Sequence, residues 1–289
     1  MNWMRRSPSA ATTVQTVASL AVIVSVPVPK ARTEKKWRLA PLDEAGSEAF
    51  NTICSNLTFA GKNIRKIVIT SCEPNDGKSF VSIQVAYNMA KRGKRVLLID
   101  ADLRLSVLNA HYDIQLGGPG YGLAHFLSGQ CALEDAVYET NLENFFLIPI
   151  GTDVQAPLSL IATPDFDKMI QMTGDNFDLV VIDAPPIGLV IDAAEIAKSC
   201  DGSVIVLEYA KTHRRALQEA KNQMERTGTP ILGCILNKVT MDRLSTKKYY
   251  SYGGKYGYSK YGRYGKYGKY GYSRGYYRRD DEKKKDQKQ

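Results

Sequence analysis

Histidine is scarce in this chain, with three residues in 289 (His111, His125 and His213), and the five cysteines (Cys54, Cys72, Cys131, Cys200 and Cys234) fall in no C-x-x-C or other metal-ligand spacing. That pattern argues against a zinc site and against a disulfide framework, and it fits reduced thiols in a cytoplasmic setting. Long apolar runs are also lacking. The run over 14–29, after the charged start "MNWMRR", is interrupted by Gln15, Thr16, Ser19 and Ser25. It falls short of the ~20 residues that a spanning helix needs. No clean small-x-small cleavage site follows it, so residues 1–40 read as a poorly defined N-terminal extension, with a membrane anchor as the alternative. Excess charge is missing from most of the chain as well. The net charge is +9, yet from Lys247 onward there are 14 Lys/Arg against 4 Asp/Glu, leaving 25 against 26 before it. The body is neutral, and the basicity belongs to the C-terminal segment.

What the body does contain is a series of short β-branched runs: "KIVIT" (66–70), "RVLLI" (95–99), "FFLIPI" (145–150), "LVVID" (179–183), "SVIVL" (203–207) and "ILGCIL" (231–236). They are apolar throughout rather than alternating, as strands covered on both faces are. Helix-length segments separate them, among them 78–92, with Val81, Val85, Ala86, Met89 and Ala90 on one side and Gly93 as its stop. Strand, helix, strand in this order predicts an α/β fold: a doubly wound, mostly parallel sheet flanked by helices, over residues 41–245.

In such a fold ligands sit beyond the carboxyl ends of the strands. "SCEPNDGKS" follows the first run there, "DADLR" the second and "DAPP" the fourth. Between a strand and a helix, Asn75, Asp76, Gly77, Lys78 and Ser79 form a candidate phosphate loop. Its backbone N–H groups would cradle phosphate, Lys78 would reach the β/γ-phosphates and Ser79 would hold Mg²⁺. The full G-x-x-x-x-G-K-[ST] pattern is not met, because Cys72 occupies the place of its first glycine, and a plain turn before a helix competes with this reading. Asp100, Asp102 and Asp183 at two further strand ends supply the carboxylates that a nucleotide site needs. Each could alone be a helix cap; three at three strand ends point to nucleotide binding.

"KIVITSCEPNDGKSFVSIQVAYNMAKRGKRVLLIDADLR", "FDLVVIDAPP" and a tyrosine-rich C-terminus together resemble the bacterial tyrosine kinases of capsule and exopolysaccharide operons, from about Ser47 to Lys238. "GTDVQAPLSLIATPDF" resembles the segment that follows the central strand in that family. The resemblance implies a P-loop fold like that of the MinD-type septum-site ATPases. It implies ATP and Mg²⁺ as cofactors, with Lys78 and Ser79 in a Walker A loop, Asp100 and Asp102 in a Walker A′ motif and Asp183 as the Walker B carboxylate. Asp100, Asp102 and Lys78 would be catalytic, with Asp100 as base or Asp102 in exchange for it, and Ser79, Asp102 and Asp183 would attend the metal; on charge grounds Arg104 is placed to assist Lys78 in stabilising the transferring phosphoryl group. The partition and septum-site ATPases place a signature lysine where this chain has Glu73. The implied partners are a transmembrane activator or polysaccharide co-polymerase adaptor, a cognate tyrosine phosphatase and further copies of the chain. The implied place is the cytoplasm, at the inner face of the membrane. An E-x-x-R-x-x-R helix serves subunit contacts in the family; here Glu48 is kept, but Asn51 and Cys54 stand for the arginines.

Twelve of the 17 tyrosines lie in the segment 246–289: Tyr249, Tyr250, Tyr252, Tyr256, Tyr258, Tyr261, Tyr264, Tyr267, Tyr270, Tyr272, Tyr276 and Tyr277. With almost no aliphatic residues this segment cannot build a core, and its composition predicts disorder. Taken alone, tyrosines between basic residues suit nucleic-acid stacking or a solvated tail. Behind a kinase domain they read as phosphate acceptors, and no nucleic-acid partner is expected. The competing readings are a MinD- or ParA-like regulatory ATPase and a nucleotide-binding assembly module without kinase activity.

Overall fold

The computed structural model describes residues 22–26, 42–61, 63–106, 108 and 120–239. Its strands are β1 (Val22–Val26), β2 (Lys66–Ser71), β3 (Val96–Asp100), β4 (Tyr138–Glu139), β5 (Phe145–Ile148), β6 (Leu179–Asp183), β7 (Gly202–Glu208) and β8 (Ile231–Asn237). Its helices are α1 (Glu44–Phe59), α2 (Lys78–Lys91), α3 (Leu123–Leu127), α4 (Leu133–Ala136), α5 (Pro157–Ile161), α6 (Pro164–Asn176), α7 (Asp192–Ala197) and α8 (Arg214–Glu225). The strands form one sheet in the order β1-β8-β7-β2-β6-β3-β5-β4. Every pairing is parallel except the two-residue contact of β4 with β5. The α/β, doubly wound, mostly parallel architecture read from the sequence is thus the one found.

The continuous apolar runs make sense in this setting, because alternate residues of one strand feed two different cores. Ile67 and Ile69 of β2 join Phe50 and Ile53 of α1 and Val81, Val85 and Met89 of α2 on one face. Val68 between them faces the core built with Phe166 and Ile170 of α6, Ile196 of α7 and Leu217 and Met224 of α8. α2 ends as the sequence suggests: Gly93 takes φ +80°, a left-handed stop that costs glycine nothing.

Residues 22–26, part of the stretch read as an extension, form β1 and pair in parallel with β8, Val26 opposite Asn237. A strand of five residues does not need the length that a spanning helix needs, so the polar interruptions around it do not preclude it. Among the described residues no helix is long and apolar enough to cross a membrane. The tyrosines from Tyr249 to Tyr277 lie outside the described residues.

Candidate nucleotide and phosphoryl-transfer site

Three strand ends converge because β3, β6 and β2 are neighbours in register: Asp100 lies opposite Asp183, and Ile69 opposite Asp183 on the other side. The loop after β2 therefore sits beside the two carboxylate-bearing ends. Within that loop Asn75 adopts φ +65° and Gly77 φ +94°. Asparagine tolerates the left-handed region better than most side chains, so the loop keeps its turn at a position without glycine. At Gly77 a Cβ would come within 2.0 Å of Asn237 Nδ2, which shows how closely the end of β8 supports the loop. Asn237 Nδ2 donates to the Asp76 carbonyl at 2.8 Å, and Lys238 Nζ donates to the Asn75 carbonyl at 2.5 Å and to Glu208 Oε2 at 3.0 Å. Sequence reading missed Asn237 and Lys238; they follow an apolar run like the other site residues, and that placement was the available signal.

Lys78 opens α2 and points back into the loop. Its ammonium lies 2.7 Å from Asp102 Oδ2 and 3.8 Å from Asp183 Oδ2, and donates to Ser79 Oγ at 3.1 Å. Burial alone would lower the pKa of this lysine, but the charges of Asp183, Asp102 and Asp100 outweigh it and hold the ammonium above its ordinary range. The carboxylates pay the opposite penalty. Burial, reinforced by the charge of Asp183, pushes Asp100 up to about 8, although the Ser106 hydroxyl and Lys78 pull it down. Burial raises Asp183 as well, against the pull of Lys78, Ser79 and Ser82. Asp76 is raised to about 6, chiefly by burial, while its Oδ2 accepts the Glu73 N–H at 3.0 Å.

Asp100 and Asp102 have different surroundings. Asp100 is fully buried and accepts from Ser106 Oγ at 2.5 Å and from the Asp102 N–H at 3.3 Å. Asp102 lines a cavity of about 350 Å³, together with Asn75, Gly77, Lys78, Ser79, Arg104 and Leu105, and with Pro185 to Pro186 and Leu189 to Val190 across it. Arg104 is not available to assist Lys78 here: it makes a two-pronged pair with Asp192, with Nε and Nη2 donating at 3.0–3.1 Å to a carboxylate that is fully buried. The sequence placed Arg104 near the phosphates but gave no sign of Asp192, 88 residues away.

The residues also fit a divalent cation. Asp183 Oδ2 is buried with no hydrogen-bond partner, while Oδ1 accepts from Ser82 Oγ at 3.0 Å. A buried carboxylate oxygen without a hydrogen-bond partner, 3.8 Å from the Lys78 ammonium and in the same site as Ser79, suits a hard ion. Among the described residues no three His, Cys, Asp or Glu side chains converge as a metal cage, and Mg²⁺ is commonly held by one or two carboxylates plus waters and phosphates.

A family model described as an AAA domain matches residues 64–227. The chain is 40% identical over 206 residues to the tyrosine-protein kinase CpsD of Streptococcus agalactiae, a span that covers 71% of this chain and 89% of that protein. The chain belongs to the CpsD family of tyrosine-protein kinases. Its fold agrees with this membership: it superposes on the BceF tyrosine kinase domain with a TM-score of 0.70 at 26% identity, over 81% of this chain and all of that one. The septum-site-determining protein MinD of Pyrococcus horikoshii, solved with Mg-ADP, is more distant, with a TM-score of 0.51 at 25% identity over 64% of this chain and 75% of that one. The loop at 75–79 follows a central parallel strand and leads into a helix N-terminus, the setting that a phosphate-binding loop requires.

Proposed function

We propose that this chain transfers the γ-phosphoryl group of ATP to tyrosines of its own C-terminal segment, one copy serving another, and thereby regulates capsular or exopolysaccharide synthesis and export. Residues 41–245 would form the kinase domain and 246–289 the acceptor segment. The observation that carries the reading is Lys78, which lines the cavity and is held between Asp102 and Asp183 in a chain of tyrosine-kinase descent. Asn75, Asp76, Gly77, Lys78 and Ser79 would hold the phosphates, and Ser79 and Asp183 would attend Mg²⁺, which leaves Asp102 for the acceptor. When bound, Mg²⁺ supplies charge neutralisation on the bridging phosphates.

Phosphoryl transfer needs little covalent work from the protein; positioning and charge carry it. The acceptor Tyr oxygen attacks the γ-phosphorus, the bond from that phosphorus to the β,γ-bridging oxygen breaks, ADP leaves with that oxygen, and the phenol proton passes to a carboxylate. The geometry favours Asp102 over Asp100 for the proton, because Asp102 faces the cavity whereas Asp100 is buried behind it and engaged by Ser106. Before nucleotide binds, Asp102 is tied to Lys78. Phosphate oxygens that compete for the lysine would release Asp102 Oδ2, so the base becomes free only when the phosphoryl donor is in place. Asp100 then has a positioning role through the Asp102 N–H and Ser106.

A transmembrane activator, a tyrosine phosphatase and self-association at the inner membrane face complete the proposal, by likeness to the family. The test is incubation of the full chain with Mg²⁺ and ATP, with and without an activator peptide, followed by mapping of phosphate by mass spectrometry. Phosphotyrosine between Tyr249 and Tyr277 that is lost in Asp102→Asn is the expected result. Phosphate release to water with no tyrosine labelled in either preparation would overturn it in favour of a MinD-like ATPase.

A further inference from the structure

Single apolar side chains on a surface are ordinary, but grouped ones ask for a partner. Five large apolar side chains are well exposed among the described residues: Phe59, Leu105, Met172, Leu189 and Ile191. Two of these, Leu105 at 74% and Leu189 at 64% exposure, line the same cavity as Lys78 and Asp102, and Ile191 lies two residues further on. Pro185, Pro186 and Val190 extend the apolar wall. The patch therefore begins where the phosphoryl group would be handed over.

Backbone contacts fix both sides of this opening. The Leu105 N–H is held at 3.2 Å by Asp102 Oδ1, the other oxygen of the carboxylate that grips Lys78. Leu189 sits on a turn in which its N–H donates to the Pro186 carbonyl at 3.1 Å and the Val190 N–H donates to the same carbonyl at 3.3 Å. The adjacent Arg104 and Asp192 then tie the two loops together. Two leucines held out into solvent by polar contacts beneath them are costly to maintain unless something covers them.

We propose that Leu105 and Leu189 are the lips of an acceptor-tyrosine subsite: they flank the phenol ring of a tyrosine from the 260–277 segment of a second copy and direct its hydroxyl to Asp102. This rests on the kinase reading above and adds the residues that select the acceptor. The occupant follows from continuity and chemistry. An amphipathic ring with an oxygen at one end matches an apolar mouth with a carboxylate at its base. In "KYGRYGKYGKYG" each ring is followed by glycine, which lets backbone approach closely, and preceded by a Lys or Arg that suits a site holding carboxylates and nucleotide phosphates. A serine offers no ring for the leucines to flank, so the lips would select tyrosine by apolar contact.

The test uses the full chain in the presence of Mg-ADP and a synthetic peptide of residues 260–277, with direct binding and phosphoryl transfer measured separately. Leu105→Ser and Leu189→Ser change exposed positions and leave the cores alone. Each is expected to weaken peptide binding, and to raise the peptide KM, by about tenfold, the low end for a lost apolar contact in a recognition pocket. ADP affinity should stay unchanged, and Leu105→Met should restore binding. Unchanged peptide binding overturns the proposal. So does a parallel fall in ADP affinity, which would give the patch to the nucleotide, or a change in oligomeric mass with peptide binding intact, which would make it a face between copies. Binding that depends on the leucines without any transfer would uphold the subsite and sink the kinase reading; transfer indifferent to the leucines would do the reverse.

Discussion

Replacing Lys78 with methionine removes the cation shared by Asp100, Asp102 and Asp183, and the cost should depend on pH. The side chains of Asp102 and Asp183 are 5% and 1% exposed, so solvent cannot take the place of the lysine. Stripping one partner from a buried ion pair costs about 3–5 kcal/mol when the remaining charge cannot neutralise itself. Here two of the carboxylates can. Asp100 is pushed up to about 8 and Asp183 is raised too. A folded pKa above the ordinary carboxylate value means that Asp100 favours folding fully below about pH 4 and that this contribution is lost as pH rises through about 8, and Asp183 shifts in the same direction. Without Lys78 both values climb further and the loss steepens. At pH 8 the variant should therefore lose about 3–5 kcal/mol. At pH 5, where Asp100 holds its proton in either protein and the raised Asp183 is nearer to protonation than at pH 8, the loss should shrink toward the bond with Asp102, roughly 1–2 kcal/mol. For a domain of this size that is a drop in melting temperature of about 10 °C at pH 8 and about 4 °C at pH 5. Thermal melts of nucleotide-free protein at constant ionic strength measure both. A deficit independent of pH, or a variant as stable as the parent at pH 8, would refute the coupled-carboxylate picture. Lys78→Met would then be a purely catalytic knockout.

Gly188 stands against the start of the loop that follows β2, where a Cβ would lie 2.1 Å from the Cys72 carbonyl oxygen. Gly188→Ala should weaken Mg-ADP binding by at least about tenfold, equivalent to about 1.4 kcal/mol, in a calorimetric titration; an unchanged affinity would show that the loop can shift at no cost. Asp76, raised by burial to about 6, carries a stabilising contribution that is complete below about pH 4 and lost on the way through pH 6. Asp76→Asn should therefore raise the melting temperature of the nucleotide-free protein at pH 8 and not at pH 4.

Six strands were legible in the sequence because both faces of this sheet are covered, so each announces itself as an uninterrupted apolar run. β1 was not legible: five residues inside a longer apolar stretch look like a failed spanning helix until β8 is known to have a free edge beside it. The convergence of the 75–79 loop with Asp100, Asp102 and Asp183 was legible through strand-end position, since neighbouring parallel strands bring their carboxyl ends together. What could not be read were partnerships across the chain. Asn237 supports Asp76 across 161 positions and Asp192 captures Arg104 across 88. Neither pair shares a local pattern, and in both the decisive group is a polar side chain of ordinary type.

The same limitation explains the helix that lacks the family arginines. Register on α1 decides what each replacement can do. Cys54 is fully buried, its Sγ set toward the Val85 carbonyl at 4.0 Å and its thiol pushed up to about 11 by burial. A guanidinium there would have to enter the core shared by α1 and α2 or force α1 to rotate. Asn51, three residues earlier, is exposed and has acquired an arginine from elsewhere: Arg92, the C-terminal cap of α2, donates from Nη2 to the Asn51 carbonyl at 2.9 Å and to its Oδ1 at 3.2 Å. A cation therefore stands on this face of α1 although α1 does not encode one. A copy-to-copy contact made through this face would meet Glu48 from α1 and Arg92 from α2, so its strength would depend on how firmly the two helices are packed together, which an arginine pair within one helix would not require.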